Sequence, residues 1–241
     1  MTRRFVPFLF WLLAPFMLAL HGTAQNPDPV ENPAIPTVTF NCLWEVATPQ
    51  LYTITARSTG TARYVSSNPV RKSDDPAQAA DPEYTLEFTL SSPGAAQVFA
   101  LATQAKYFDG DFDYKKHAVA NTGAKTLTYA DFKRHFETTY VWSENPAIDQ
   151  LTSYFQGVSA TIEHGRKLQF IHRYDKLGLE AHLKGMEDEA QSHYLAELQI
   201  IAPILESIAN DSGVMNIARQ RARRLLQRAK AEATSPVKTA Q

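Results

Sequence analysis

The chain has 241 residues with 25 acidic and 24 basic side chains, 44% apolar content, 20% charged content, one cysteine and ten glycines. This composition excludes a disordered chain, a collagen-like repeat and a small disulfide scaffold, and it supplies enough apolar surface for a substantial core. The near balance of charge, 22 basic against 25 acidic side chains once residues 1–24 are set aside, argues against a dedicated nucleic-acid binder.

Residues 1–24 have the layout of a secretory leader: Arg3 and Arg4, then the apolar run from Phe5 to Leu20, then Gly22-Thr23-Ala24. The run is shorter than the roughly 18 to 20 residues that a spanning helix needs, so it predicts a signal peptide cleaved near Ala24 rather than a permanent anchor. The expected location is therefore periplasmic or extracellular. No cysteine follows Ala24 directly, which removes the lipoprotein reading, and Cys42 has no partner within the chain. Cys42 lies in Val38-Thr39-Phe40-Asn41-Cys42-Leu43-Trp44, a strand pattern, and is expected as a small buried hydrophobe. Residues 25–37 hold four prolines and predict an extended linker.

From Val38 the pattern has a period of two. Strands are predicted over 38–46, 51–57, 61–65 and 84–90, where Tyr52, Ile54 and Ala56 alternate with Thr53, Thr55 and Arg57. A polar stretch from Ser66 to Asp81 predicts a long loop. Ser91-Ser92-Pro93 reads as a capped helix start running to about Ala105, followed by a strand at 125–129 and a strand or short helix within 132–142. Together, 38–143 reads as an α+β domain, a mainly antiparallel sheet packed on one helix. After Asn145-Pro146 the period becomes helical, with Ile148, Leu151, Phe155, Val158 and Ile162 in one stripe. A second helical run carries apolar residues from Leu183 to Ile208. A turn follows at Asn210-Asp211-Ser212-Gly213, and a third helix extends from Val214 to about Glu232. Residues 144–233 are the helical region and 234–241 a disordered tail.

Three features carry candidate chemistry. The last helix is basic and amphipathic, with Arg219, Arg221, Arg223, Arg224 and Arg228 outside an apolar arc, and it follows a run rich in acids from Asp175 to Asp211. Two readings follow: a surface for anionic lipid or an acidic partner, or one half of an antiparallel hairpin whose arginines face those acids. Asp109, Asp111 and Asp113 alternate like the start of a calcium loop, but Tyr114 and Ala120 stand where an EF-hand needs Gly and an acid. Ca²⁺ in another geometry is the one cofactor this run leaves open; otherwise its acids pair with Lys115, Lys116 or His117. No nucleophile elbow, phosphate loop, zinc-protease spacing or acid/base carboxylate pair is present, so no catalytic residue is named. The aromatics Tyr107, Phe108, Phe112, Tyr114, Tyr129 and Phe132 read as core side chains or as the lining of a groove between sheet and helix.

The run Tyr107-Phe108-Asp109-Gly110-Asp111-Phe112, with Lys115-Lys116-His117, Thr122-Gly123, Lys125 to Tyr129 and Ile217 to Arg223, resembles a family of exported bacterial proteins without an assigned activity. The resemblance implies a bacterial exported location and transfers no site residue. The expectation is a non-enzymatic envelope protein with a protein partner and no nucleic acid. The alternatives are a membrane-surface module and, less favoured, a small metal-dependent or hydrolytic enzyme.

Overall fold

The structure, a computed structural model, describes residues 34–68, 83–117 and 120–234. The leader, nearly all of the linker, most of the loop after Ser66 and nearly all of the tail lie outside the described residues.

Six strands are formed: β1 (Thr37–Leu43), β2 (Leu51–Arg57), β3 (Thr61–Ser67), β4 (Tyr84–Thr89), β5 (Ala124–Ala130) and β6 (His135–Tyr140). They make one antiparallel sheet in the order β4-β3-β2-β1-β5-β6. Register follows the alternation: Phe40 stands opposite Ile54 on one side and Leu127 on the other, so all three point to one face. The opposite face is rich in threonine, a β-branched polar residue suited to the solvent side of a strand. Its side chains bond across strands, Asn41 to Thr53 at 2.9 Å and Thr126 to Thr139 at 2.9 Å.

Helix α1 (Ser92–Gln104) begins where Ser91 Oγ accepts the Gly94 N–H, as the serine-proline start predicts. Helix α2 (Pro146–Tyr174) is capped by the Asn145 side chain, which accepts from Ala147 and Ile148. At about 1.5 Å per residue its 29 residues span about 44 Å. Its first half presents Ile148, Leu151, Phe155, Val158 and Ile162 to the sheet, where the Phe155 ring stacks on Phe40 at 5.3 Å. Its second half, through Leu168 and Ile171, joins a second core with the remaining helices.

The second helical run is not continuous. It divides into α3 (Leu179–Gln191) and α4 (Ala202–Asn210), because His193 and Glu197 adopt left-handed backbone with φ of 60° and 58°. Tertiary bonds hold this break. Glu197 leaves the helix to accept the Ser91 N–H at 2.6 Å, the Ser91 hydroxyl at 2.8 Å and the Tyr154 hydroxyl at 2.8 Å. Its carboxylate thus stands at the start of α1, where negative charge is favourable. Gly165 of α2 permits the close approach of the segment after the break, since a Cβ there would stand 2.4 Å from Ile201 Cγ2. Two further expectations are sharpened: the first strand ends at Leu43 rather than Val46, and the element within 132–142 is a strand. Helix α5 (Asn216–Thr234) then folds back on α4.

Candidate functional site: an aromatic groove at the end of the sheet

The alternation that buries Val38, Phe40 and Cys42 predicts Trp44 on the same face, but β1 stops one residue earlier. The chain turns instead, with the Trp44 N–H on the Gln50 carbonyl at 2.7 Å and Gln50 Nε2 on the Glu45 carbonyl at 3.0 Å. This turn leaves Leu43 (40% exposed), Trp44 (38%) and Val46 (75%) at the surface.

The facing wall comes from the segment before β5 and from the end of β6. Asp113 accepts the Val141 N–H at 2.9 Å, and the Tyr114 N–H donates to the Trp142 carbonyl at 2.9 Å. The Tyr114 ring meets Trp142 edge-on at 4.8 Å, with Trp142 itself 41% exposed. Between the walls lies a groove of about 690 Å³ bordered by Trp44, Glu45, Val46, Asp113, Tyr114 and Asn121. Its floor passes Gly123, whose φ of +86° suits glycine. A side chain has no room there, because its Cβ would stand 2.6 Å from Trp44 Cβ.

Lys125 fastens these parts from below. It shares the inward face of β5 with Leu127 and Tyr129 and is 3% exposed. Its ammonium group has four oxygens within reach: Val141 O at 2.8 Å, Thr122 Oγ1 at 2.9 Å, Gly123 O at 3.0 Å and Thr122 O at 3.1 Å. Burial depresses its pKa, since desolvation disfavours the charged form. The cation therefore ties the loop before β5 to the end of β6, which are two sides of the groove.

The residues singled out by sequence have other placements. Arg221 bonds Glu180 at 2.9 Å and also pairs with Glu187; Arg224 reaches Glu187 at 2.7 Å and Arg228 reaches Glu232 at 2.6 Å. Arg223 donates to the Ala209 carbonyl at 3.0 Å, and Arg219 Nε is buried without a hydrogen-bond partner among the described residues. The apolar arc, Val214 just before α5 and Ala218, Ala222, Leu225 and Ala229 within it, is buried in the second core, while Met215 and Ile217 are exposed. Among the described residues no helix is long and apolar enough to cross a membrane.

The acidic run is dispersed. Asp111 pairs with Lys115 and accepts the Asp113 N–H at 3.1 Å, Asp113 holds Val141, and Asp109 is exposed after the left-handed turn Lys106–Phe108. Among the described residues no group of three or more His, Cys, Asp or Glu side chains is placed to hold a metal. Of the six aromatics, Phe108 and Tyr129 are core residues, Phe112 packs partly buried against the same core, Tyr114 lines the groove and Phe132 is exposed. Tyr107 packs against Tyr129 at 4.7 Å beneath the Arg134 guanidinium at 3.8 Å. Cys42 is buried and free.

Two histidine contacts had no local sequence signal, because each joins residues far apart in the chain. His164 of α2 contacts Glu189 of α3 through Nε2 at 2.8 Å and His182 of α3 through Nδ1 at 3.2 Å. Burial, then the neighbouring His164 and Lys167, push His182 down to about 4. His172 bonds Asp211 at 2.9 Å, and Asp211 also holds Lys176 at 2.6 Å and the Gly213 N–H at 2.8 Å, closing the turn between α4 and α5.

No family model matches the chain, and no curated protein matches it.

Proposed function

We propose that the chain is an exported, non-enzymatic bacterial protein that binds a segment of another protein in the groove at the end of the sheet. Export rests on the leader-like composition of residues 1–24. The observation that carries the binding role is the grouping of the exposed Leu43, Trp44 and Val46 in one groove with Tyr114, which comes from a distant part of the chain and whose ring Trp142 meets edge-on. Exposed large hydrophobics are ordinary one by one, whereas a cluster bordering a groove has the character of a recognition surface.

The lining sets the chemistry of the occupant. Glu45 and Asp113 border the groove, no basic side chain among the described residues does, and Trp44 and Tyr114 supply aromatic faces. Carboxylates beside aromatic rings favour a cationic side chain with an apolar stem, so an arginine- or lysine-containing segment is the expected occupant.

The chain has three tryptophans, and two of them are Trp44 and Trp142. In the full chain carrying Trp11→Phe, tryptophan emission therefore reports on this region. Titration with a short arginine-leucine peptide is expected to give a saturable change that weakens with salt and disappears in Trp44→Ala. An unchanged spectrum, or an equal response to a neutral N-acetylglucosamine oligomer, refutes the reading.

A further inference from the structure

We infer that His164 and His182 form a binding site for a divalent first-row transition metal between α2 and α3, with Glu189 orienting the first imidazole. None of these residues borders the groove. The geometry of the pair is set by which nitrogen faces which neighbour. Glu189 Oε2 stands 2.8 Å from His164 Nε2, and a carboxylate is an acceptor, so the ring proton belongs on Nε2. His164 Nδ1 then presents its lone pair to His182 Nε2, 3.2 Å away.

That separation suits two ligands of one ion. With nitrogens about 2.0 to 2.1 Å from Zn²⁺ at a tetrahedral angle, the N···N distance is about 3.3 to 3.4 Å. The two rings need little displacement. In the empty state the same pair shares a proton, His182 Nε2–H donating to His164 Nδ1; binding moves the His182 proton to Nδ1 and frees both facing lone pairs. A carboxylate on the far nitrogen of a ligating imidazole is also the usual outer-shell arrangement, fixing tautomer and ring orientation.

Two nitrogens leave coordination positions for water. Gly185 lies between His182 and Glu189 on α3, and nothing lies within 4 Å of where its Cβ would stand, so the helix surface beside His182 is open at that position. His164 retains 20% side-chain exposure and Glu189 42%, which provides an entry path. At His182, Glu189 favours a cation and Lys167 opposes one. Imidazole ligands of this kind suit Zn²⁺, Ni²⁺ and Cu²⁺ better than Ca²⁺ or Mg²⁺.

The test uses the untagged full chain with Zn²⁺ as the probe. Excess Zn²⁺ is expected to raise the thermal midpoint by several degrees, and His182→Gln, which keeps an amide donor toward His164, is expected to abolish the shift. Glu189→Gln should weaken Zn²⁺ binding by about 10- to 100-fold while preserving it. A midpoint unmoved by Zn²⁺, or a shift retained in His182→Gln, overturns the site. If that variant does not fold, imidazole NMR of the unmodified chain decides: the His164 and His182 ring signals should move with Zn²⁺, and movement confined to His21, His117, His135, His172 or His193 overturns the assignment.

Discussion

The arginine-rich helix α5 and the groove beside Trp44 present opposite relations between sequence and surface. Helix α5 is conspicuous in sequence, yet its apolar arc is buried and Arg221, Arg224 and Arg228 are engaged in ion pairs. The groove has no sequence signature and leaves its aromatic side chains open. A charge run marks which elements attract each other, and neighbouring acids can satisfy it within the fold. The exposed parts of Trp44 and Val46 are left uncovered by the fold. Functional surface is therefore better sought in what packing leaves uncovered than in what composition makes prominent.

The contrast is most vulnerable at the seam of α5. Leu225 is 2% exposed, and Leu225→Ala is expected to cost about 2 to 5 kcal/mol in denaturant unfolding, the range for a buried leucine truncated in a core. Arg221→Met should destabilise as well, by leaving Glu180 without its cation. If both variants keep wild-type stability, α5 is a surface appendage and the contrast collapses.

Lys125→Met tests the support of the groove. Removing the ammonium leaves buried carbonyl oxygens without their donor, with an expected loss of about 1 to 3 kcal/mol. The tryptophan emission of the folded variant should also shift, since the two sides of the groove are no longer tied together. An unshifted spectrum would mean that the groove holds its shape without the lysine.

Acid acts at the end of the sheet away from the groove, where Asp131 follows β5. Burial pushes Asp131 up, but the N–H groups of Lys133 and Arg134 and the Arg134 guanidinium outweigh it and hold the carboxyl at about 2. A carboxylate depressed in the folded state contributes stability above its ordinary value near 3.8 and loses it as pH falls toward 2. Asp131→Asn should therefore flatten the stability profile over that window. Equal slopes in the two proteins would remove Asp131 as a source of acid sensitivity.

The smallest expected effect lies at the groove itself. Trp44→Ala should change stability by no more than about 0.5 kcal/mol, as for other surface positions, while abolishing the peptide response. A large loss of stability would show that the side chain supports the fold more than it recognises a partner.

Much of the fold is legible from periodicity. The alternation at Tyr52, Ile54 and Ala56 gives a half-buried strand, Ser91 and Pro93 start α1, and Ile148 to Ile162 form the stripe of α2 that meets the sheet. These are local patterns, and the backbone repeats of 2.0 and 3.6 residues translate them directly into faces. Lys125 is visible in the same way, as a lysine in register with Leu127 and Tyr129, although the pattern gives no hint of the oxygens around it.

Local pattern accounts for the α+β order, the faces that become core, and the opposite charges that bring α5 beside α3. Packing in three dimensions is responsible for the break at Glu197, the exposure of Trp44, and the meeting of His164 with His182. Each depends on groups far apart in the chain, Ser91 with Glu197 and Trp44 with Gly123, whose approach is fixed by the assembled core. Hydrogen bonding and close contact act through space, and a one-dimensional pattern records them only where the partners lie within a turn or two of each other.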